Sequence, residues 1–407
     1  MSSPAAPAAL TAADLAATPN AIAGDYSHFR VAERLLLSGH SHQAWPDCSL
    51  RGQQQAWLDA AELVDRKWDR AFARAERVRD GWRRLLDEPD AEITLSVNTH
   101  DVVVRLLSAL PLRTRPRIVT TDGEFHTLRR QLDRLEEEGL EIVRVSSADP
   151  RSLSERLAAE VDARTALVAV SSVLFRSAAI VPGLADLACA CEREGAELLV
   201  DTYHSLNAVP FSVPGLGLGQ AFVVGGGYKY CQLGEGNCFL RVPADCNHRP
   251  VITGWFAEFA ALQDKTGEGV RYGSGAARFE GATYDPTAHY RAAEVFDYFE
   301  QRGLTAELLR EVSQHQVGLL ASEFDALDLD PATIDRDRAV ALEHVGGFLA
   351  LRAPRAGEIS AALWERGVSN DYRDDVLRLG PAPYLSDTQL RDAIGHLDVA
   401  ARGLAAR

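Results

Sequence analysis

The stretch ELLVDTYHSLNAV (197–209) and its continuation QAFVVGGGYKYCQLGEGNCFLRV (220–242) decide the fold. Each opens on a short apolar run, ELLV (197–200) and AFVV (221–224), and the second closes on CFLRV (238–242). Upstream the same kind of run recurs at RIVT (117–120), EIVRV (141–145) and ALVAV (166–170). Between these runs lie helical stretches: TLRRQLDRLEEEG, SLSERLAAEV and GLADLACACEREG. Strands alternating with helices of this length predict an α/β domain with a mostly parallel sheet. After about residue 288 the pattern changes to two long helical stretches, then GGFLALRA and VLRLG as a strand pair or small sheet, then a last helix. The expected division is an N-terminal arm packing near the site (1–44), a large α/β domain (45–288) and a smaller C-terminal α+β domain (289–407).

In parallel sheets, ligands gather at the carboxyl ends of the strands. Asp201 stands directly after ELLV, followed by Thr202, Tyr203 and His204. On its own such an aspartate reads as a helix or turn cap. The strand AFVV runs into Gly225-Gly226-Gly227-Tyr228-Lys229-Tyr230, where three glycines allow a sharp turn and close approach of a bulky ligand. Lys229 is one of three lysines, with Lys67 and Lys265, among 43 basic side chains. A lysine directly after a buried strand calls for amine chemistry that arginine cannot perform, and desolvation there frees its amine. The stretch TLSVNTH (94–100), ending in His100, leads into DVVVRLLSAL, which reads as a helix whose hydroxyl-lined N-terminus suits a phosphate. Phe125, just after RIVT, reads as a stacking aromatic or as core.

The 407 residues carry 43 basic and 58 acidic side chains, a net charge of −15. That balance disfavours a nucleic-acid or anionic-membrane partner. No run approaches the ~20 apolar residues of a spanning helix. The N-terminal stretch has no basic residue before Arg30, so the expectation is a cytoplasmic protein without a secretion signal. Six cysteines with no C-x-x-C pair make neither a disulfide framework nor a zinc ribbon, and Cys189 and Cys191 read as small buried residues. His40-x-His42 lacks an evident third ligand and reads as polar lining of the site's mouth rather than as a metal centre.

An aspartate at one strand end and a lysine at the next is the arrangement pyridoxal phosphate requires, one to keep the ring nitrogen protonated and one to form the Schiff base. The segment 200–243 resembles the cofactor-lysine region of fold-type-I pyridoxal-phosphate enzymes of aminotransferase class V, and within it the kynureninases. The shared features are Asp-x-x-His at Asp201–His204, Tyr-Lys-Tyr at 228–230, VNTH (97–100), TGWF (253–256) and RGVSNDYRDDVLRLGPAPY near the C-terminus. The resemblance implies that Lys229 binds the cofactor covalently and then moves protons, and that Asp201 pairs with the ring nitrogen. It further implies that Leu95, Ser96 and Tyr228 hold the phosphate, that Phe125 stacks on the ring, and that Ser171 and His204 line its other side. Trp255 would reach the cofactor from a partner subunit, implying a homodimer with shared sites, Thr283 would also contact the cofactor, and Arg378 would clamp the substrate α-carboxylate. The implied reaction is hydrolysis of the Cβ–Cγ bond of kynurenine, 3-hydroxykynurenine or a related γ-oxo amino acid, with Tyr228 as a proton donor.

Three departures bear on the substrate. Kynureninases read G-N-S-L-G where this chain has Gly39-His40-Ser41-His42-Gln43, and F-P-[ST]-D where it has Phe125-His126-Thr127-Leu128. A Ser-Asn pair that meets the aromatic ring is replaced in the stretch Arg278–Thr283, which resembles the F-E-x-G-T run of other class V members. Glu280 and Gly281 there, with His40, Ser41 and His100, are the expected substrate contacts. The alternatives are another class V reaction on an amino acid (transamination, β-elimination or epimerisation) and a catalytically silent relative. Desulfuration through an enzyme thiol is disfavoured, because no cysteine follows Cys246.

Overall fold

The computed structural model describes residues 9–261 and 269–405. Its centre is a seven-stranded sheet: β1 (Glu92–Ser96), β2 (Arg117–Thr121), β3 (Glu141–Val145), β4 (Thr165–Ser171), β5 (Glu197–Asp201), β6 (Phe222–Gly226) and β7 (Cys238–Val242). The strand order is β1-β7-β6-β5-β4-β2-β3. Every pairing from β6 to β3 is parallel, and β7 alone runs against its two neighbours, so six strands point one way. The α/β architecture expected from the runs is present, with this one strand reversed.

Side chains alternate faces along a strand, and the core shows it. Val168, Val170, Val200 and Val223 join one apolar cluster, while Leu167, Ala169, Leu199, Phe222 and Val224 join another. Helices α3 (Thr99–Ala109) and α4 (His126–Glu137) supply Val102, Leu106 and Leu128 to the second cluster. Helices α2 (Trp68–Leu85), α5 (Leu153–Ala159) and α6 (Leu184–Glu194) supply Val78, Leu157 and Leu187 to the first. The sheet is therefore covered on both sides, as a parallel sheet must be.

α1 (Cys48–Leu63) and α2 were not legible as helices in the sequence. α1 buries Cys48, Ser49, Gly52, Ala56 and Asp59, a face of small and polar groups without an apolar stripe. Gly52 has no room for a Cβ because the Tyr290 carbonyl of α7 (Thr287–Arg302) lies against it. β1 was also unexpected: Thr94, Leu95 and Ser96 are strand, and the helix begins only at Thr99. Cys191 is buried as expected, but Cys189 is exposed.

Beyond α7 come α8 (Ala306–Ala326) and a four-stranded antiparallel sheet of β8 (Asp335–Arg336), β9 (Leu349–Arg352), β10 (Asp371–Arg373) and β11 (Val376–Leu379), ordered β10-β11-β9-β8. α9 (Ala356–Glu365) packs on it, and α10 (Asp387–Ala405) packs on α8 and α9. The segment at 35–44 pairs with Val368–Ser369, exchanges backbone bonds with Gly380, and reaches the Tyr228 carbonyl through the Gln43 N–H. No helix among the described residues is long and apolar enough to cross a membrane.

Candidate functional site

Parallel register places the carboxyl ends of β4, β5 and β6 side by side, with Ser171 opposite Asp201 and Asp201 opposite Val224. β6 then turns into the loop carrying Tyr228 and Lys229. Gly226 ends that strand where a Cβ would overlap the Tyr203 phenol and the Cys238 thiol, so only glycine fits. These ends open into a cavity of about 310 Å³, lined by Val97–His100 at the entry to α3, by Phe125, Ser171, Asp201, Tyr203, His204, Tyr228 and Lys229, and by apolar walls including Val103, Leu128, Val173 and Phe175.

Lys229 is buried, and its Nζ lies 2.5 Å from His204 Nε2. The ammonium also faces three rings, with centroids at 5.3 Å (Phe125), 5.0 Å (Tyr203) and 5.7 Å (Tyr228). Burial pushes the amine down to about 7, against the pull of the Asp201 carboxylate. Burial and the neighbouring Lys229 charge hold His204 well below the usual imidazole range, so a neutral ring shares one hydrogen bond with the amine. Asp201 is raised by burial, opposed by the Tyr203 N–H it accepts and by Lys229. The Tyr228 hydroxyl is pushed up to about 12 by burial and stays protonated, and its ring stacks on His42 at 4.8 Å.

Arg378, on β11, is held side-on by Asp371 across the strand pair, with Nε donating at 2.8 Å and Nη2 at 2.5 Å. Its Nη1 donates to the Phe175 carbonyl at 2.6 Å. His40 is fully buried, with Nε2 2.7 Å from Asp371 Oδ1, so it backs the arginine and does not line the mouth as its sequence position suggested. Ser41 lies beside the exposed His42, outside the cavity lining.

Leu95 and Ser96 are ladder partners of Phe239 and Cys238, and the cavity is lined instead by the four residues that follow them. His100 is among these. Glu280 is bonded to Arg79 at 2.9 Å, and the position of a Cβ on Gly281 is taken by Arg105; neither residue lines the cavity. Trp255 donates through Nε1 to Thr283 Oγ1 at 3.2 Å on an exposed aromatic surface with Phe259 and Phe72. Missed altogether was Glu124, whose buried carboxylate accepts from Thr121 and from the cavity-lining Ser171. In the sequence it is only an acid after a strand, a position that reads equally well as a cap.

The cavity fits pyridoxal phosphate on three counts. A buried amine stands among flat rings, a buried carboxylate has room for a cationic partner, and a helix N-terminus opens on the same space. Comparison with known proteins agrees in fold. A cystine C–S lyase, C-DES, with its product cysteine persulfide superposes with a TM-score of 0.79 at 17% identity, covering 90% of this chain and 98% of that one. Cysteine desulfurase from Thermococcus onnurineus NA1 gives 0.78 at 18%, covering 95% and 98%. The chain has the fold of the type-I pyridoxal-phosphate enzymes. Residues 309–397 match the kynureninase C-terminal domain family. An uncharacterized aminotransferase, YcbU, of Bacillus subtilis (strain 168) is 23% identical over 348 residues, spanning 84% of this chain and 88% of that protein.

Proposed function

We propose that the chain is a class V pyridoxal-phosphate enzyme acting on an α-amino acid, and that it breaks a bond from Cβ to sulfur by elimination. One observation carries the reading: the buried Lys229 amine, 2.5 Å from His204, in a cavity that also holds the Asp201 carboxylate. When bound, pyridoxal phosphate supplies a covalent hold on the substrate amino group and a sink for the electrons left as the Cα–H bond breaks. Asp201 would hold the ring-nitrogen proton, Phe125 face the ring, and Val97–His100 with Tyr228 hold the phosphate.

The chain's own residues then divide the work. An amine with a pKa near 7 is substantially unprotonated at neutral pH, so Lys229 Nζ accepts the α-proton. His204 Nε2 fixes where that amine sits. Tyr228, kept protonated, gives its proton to the departing sulfur. Arg378 uses three of its five N–H groups on Asp371 and Phe175, leaving two for the substrate carboxylate. The apolar walls limit water around the reacting carbon.

The solved structures of this fold include C–S lyases and desulfurases, and elimination suits this chain better than transfer of sulfur to an enzyme thiol. Cys238 lines the cavity, but burial pushes its thiol up to about 12, where it is a poor nucleophile. The match of residues 309–397 favours a second reading, hydrolysis of a Cβ–Cγ bond after the same α-proton removal. Product analysis separates them. Cofactor-loaded protein given L-cystine should yield pyruvate, ammonia and cysteine persulfide. Alanine and anthranilate from L-kynurenine, with no pyruvate from cystine, would replace the first reading by the second.

A further inference from the structure

Glu124 sits in the turn between β2 and α4, and no step above uses it. Its Oε1 accepts from Thr121 Oγ1 at 2.7 Å and from the Ser171 N–H at 3.1 Å, and its Oε2 accepts from Ser171 Oγ at 2.6 Å. Only 3% of the residue is exposed. Ser171 is in turn the register partner of Asp201, and paired residues of parallel strands point to the same face. Asp201 lines the cavity, and Glu124 lies behind Ser171, within electrostatic reach of Asp201. The groups that face them are the Thr121 and Ser171 hydroxyls, the Tyr203 N–H and the Lys229 amine, and no arginine among the described residues is bonded to either acid. Two buried anions this close repel one another unless a cation joins them or one keeps a proton.

We propose that Glu124 is a positioning residue for the ring nitrogen of the cofactor: it holds the Ser171–Asp201 pair through Ser171, and with Asp201 forms a two-acid set that gives up one proton to that nitrogen as the cofactor binds. In that step the acid O–H bond breaks with its electron pair staying on the carboxylate, and the N–H bond forms. The set then carries one more negative charge, matched by the new positive charge on the ring. Burial raises both acids, Glu124 to about 7, which favours retention of such a proton towards neutral pH in the cofactor-free protein. The inference rests on the cofactor reading above.

The test compares two ligands on cofactor-free protein at pH 7: pyridoxal phosphate, and its 1-deaza analogue, in which carbon replaces the ring nitrogen. Binding is followed by equilibrium dialysis. Glu124→Gln keeps the size and the oxygen that Thr121 and the Ser171 N–H donate to. It should weaken pyridoxal phosphate roughly tenfold and leave the deaza analogue within twofold. In the wild-type protein the ratio of the two affinities should change between pH 6 and pH 8. Equal weakening of both ligands, or of neither, with a pH-independent wild-type ratio, would overturn the inference alone. A wild-type protein that binds neither ligand overturns the cofactor reading and this inference together.

Discussion

Lys229 and Glu124 are both buried ionisable groups, and they make opposite demands on pH. Replacing Lys229 by alanine removes the amine that holds the cofactor and takes the α-proton. Turnover should fall at least ~10³-fold, the upper part of the range for a lost acid–base group, with loss of the visible band of the lysine-bound cofactor. Glu124 is raised from 4.5 to about 7 in the folded chain, chiefly by burial. The folded state therefore binds its proton more tightly than the unfolded one. This stabilisation is complete below pH 4.5 and is lost as pH rises towards 7. Between pH 5 and pH 8 the cofactor-free protein should lose about 3 kcal/mol from this group, and Asp201 adds to the same trend. Denaturant titration of Glu124→Gln should show a flatter dependence over that window, and an unchanged slope would contradict the assignment. Glu124 was illegible in the sequence because an acid after a strand is indistinguishable from a cap. Only the fold brings Ser171, 47 residues away, onto its carboxylate.

At the scale of elements, the large sheet was legible wherever strands are continuous apolar runs, as in β4 and β6, whose every residue is buried. It was illegible where packing uses small groups. α1 buries Gly52 and Ala56 while Trp57 and Leu58 point outward, so its periodicity reads backwards. The strand-end site was legible through Asp201 and Lys229. The Arg378 side was legible in the arginine itself but not in its support, because Asp371 and His40 meet it only through the β10–β11 register and the segment at 35–44. Gly226 is the element's weak point. Gly226→Ala would force apart Tyr203 and Cys238 at the end of β6, costing about 1–3 kcal/mol as overpacking. It should also weaken cofactor binding, because the displaced Tyr203 ring faces the Lys229 amine. Thermal melting and cofactor titration of the variant check both effects, and wild-type values for both would sink this account of the turn.

Across the whole molecule, Trp255, Phe259 and Phe72, with Val251 and Ile252 on the neighbouring loop, form an exposed apolar surface, and we propose it as the face that a second copy of the chain covers. Apolar area of that kind marks an interaction face. Light scattering should give twice the 44.3 kDa chain mass, and Trp255→Ser with Phe259→Ser should shift the protein towards monomer and lower its cofactor affinity. A wild-type monomer with full cofactor affinity would remove the partner subunit from the account. The fold, the cavity and the lysine all converge on one chemical claim, that the Lys229 amine bonds to pyridoxal phosphate. The chain offers only three lysines, so borohydride reduction of the cofactor-loaded protein followed by peptide mass mapping is decisive. The account predicts a phosphopyridoxyl group on Lys229 and none on Lys67 or Lys265. Modification at either of those lysines instead, or at none, would contradict it.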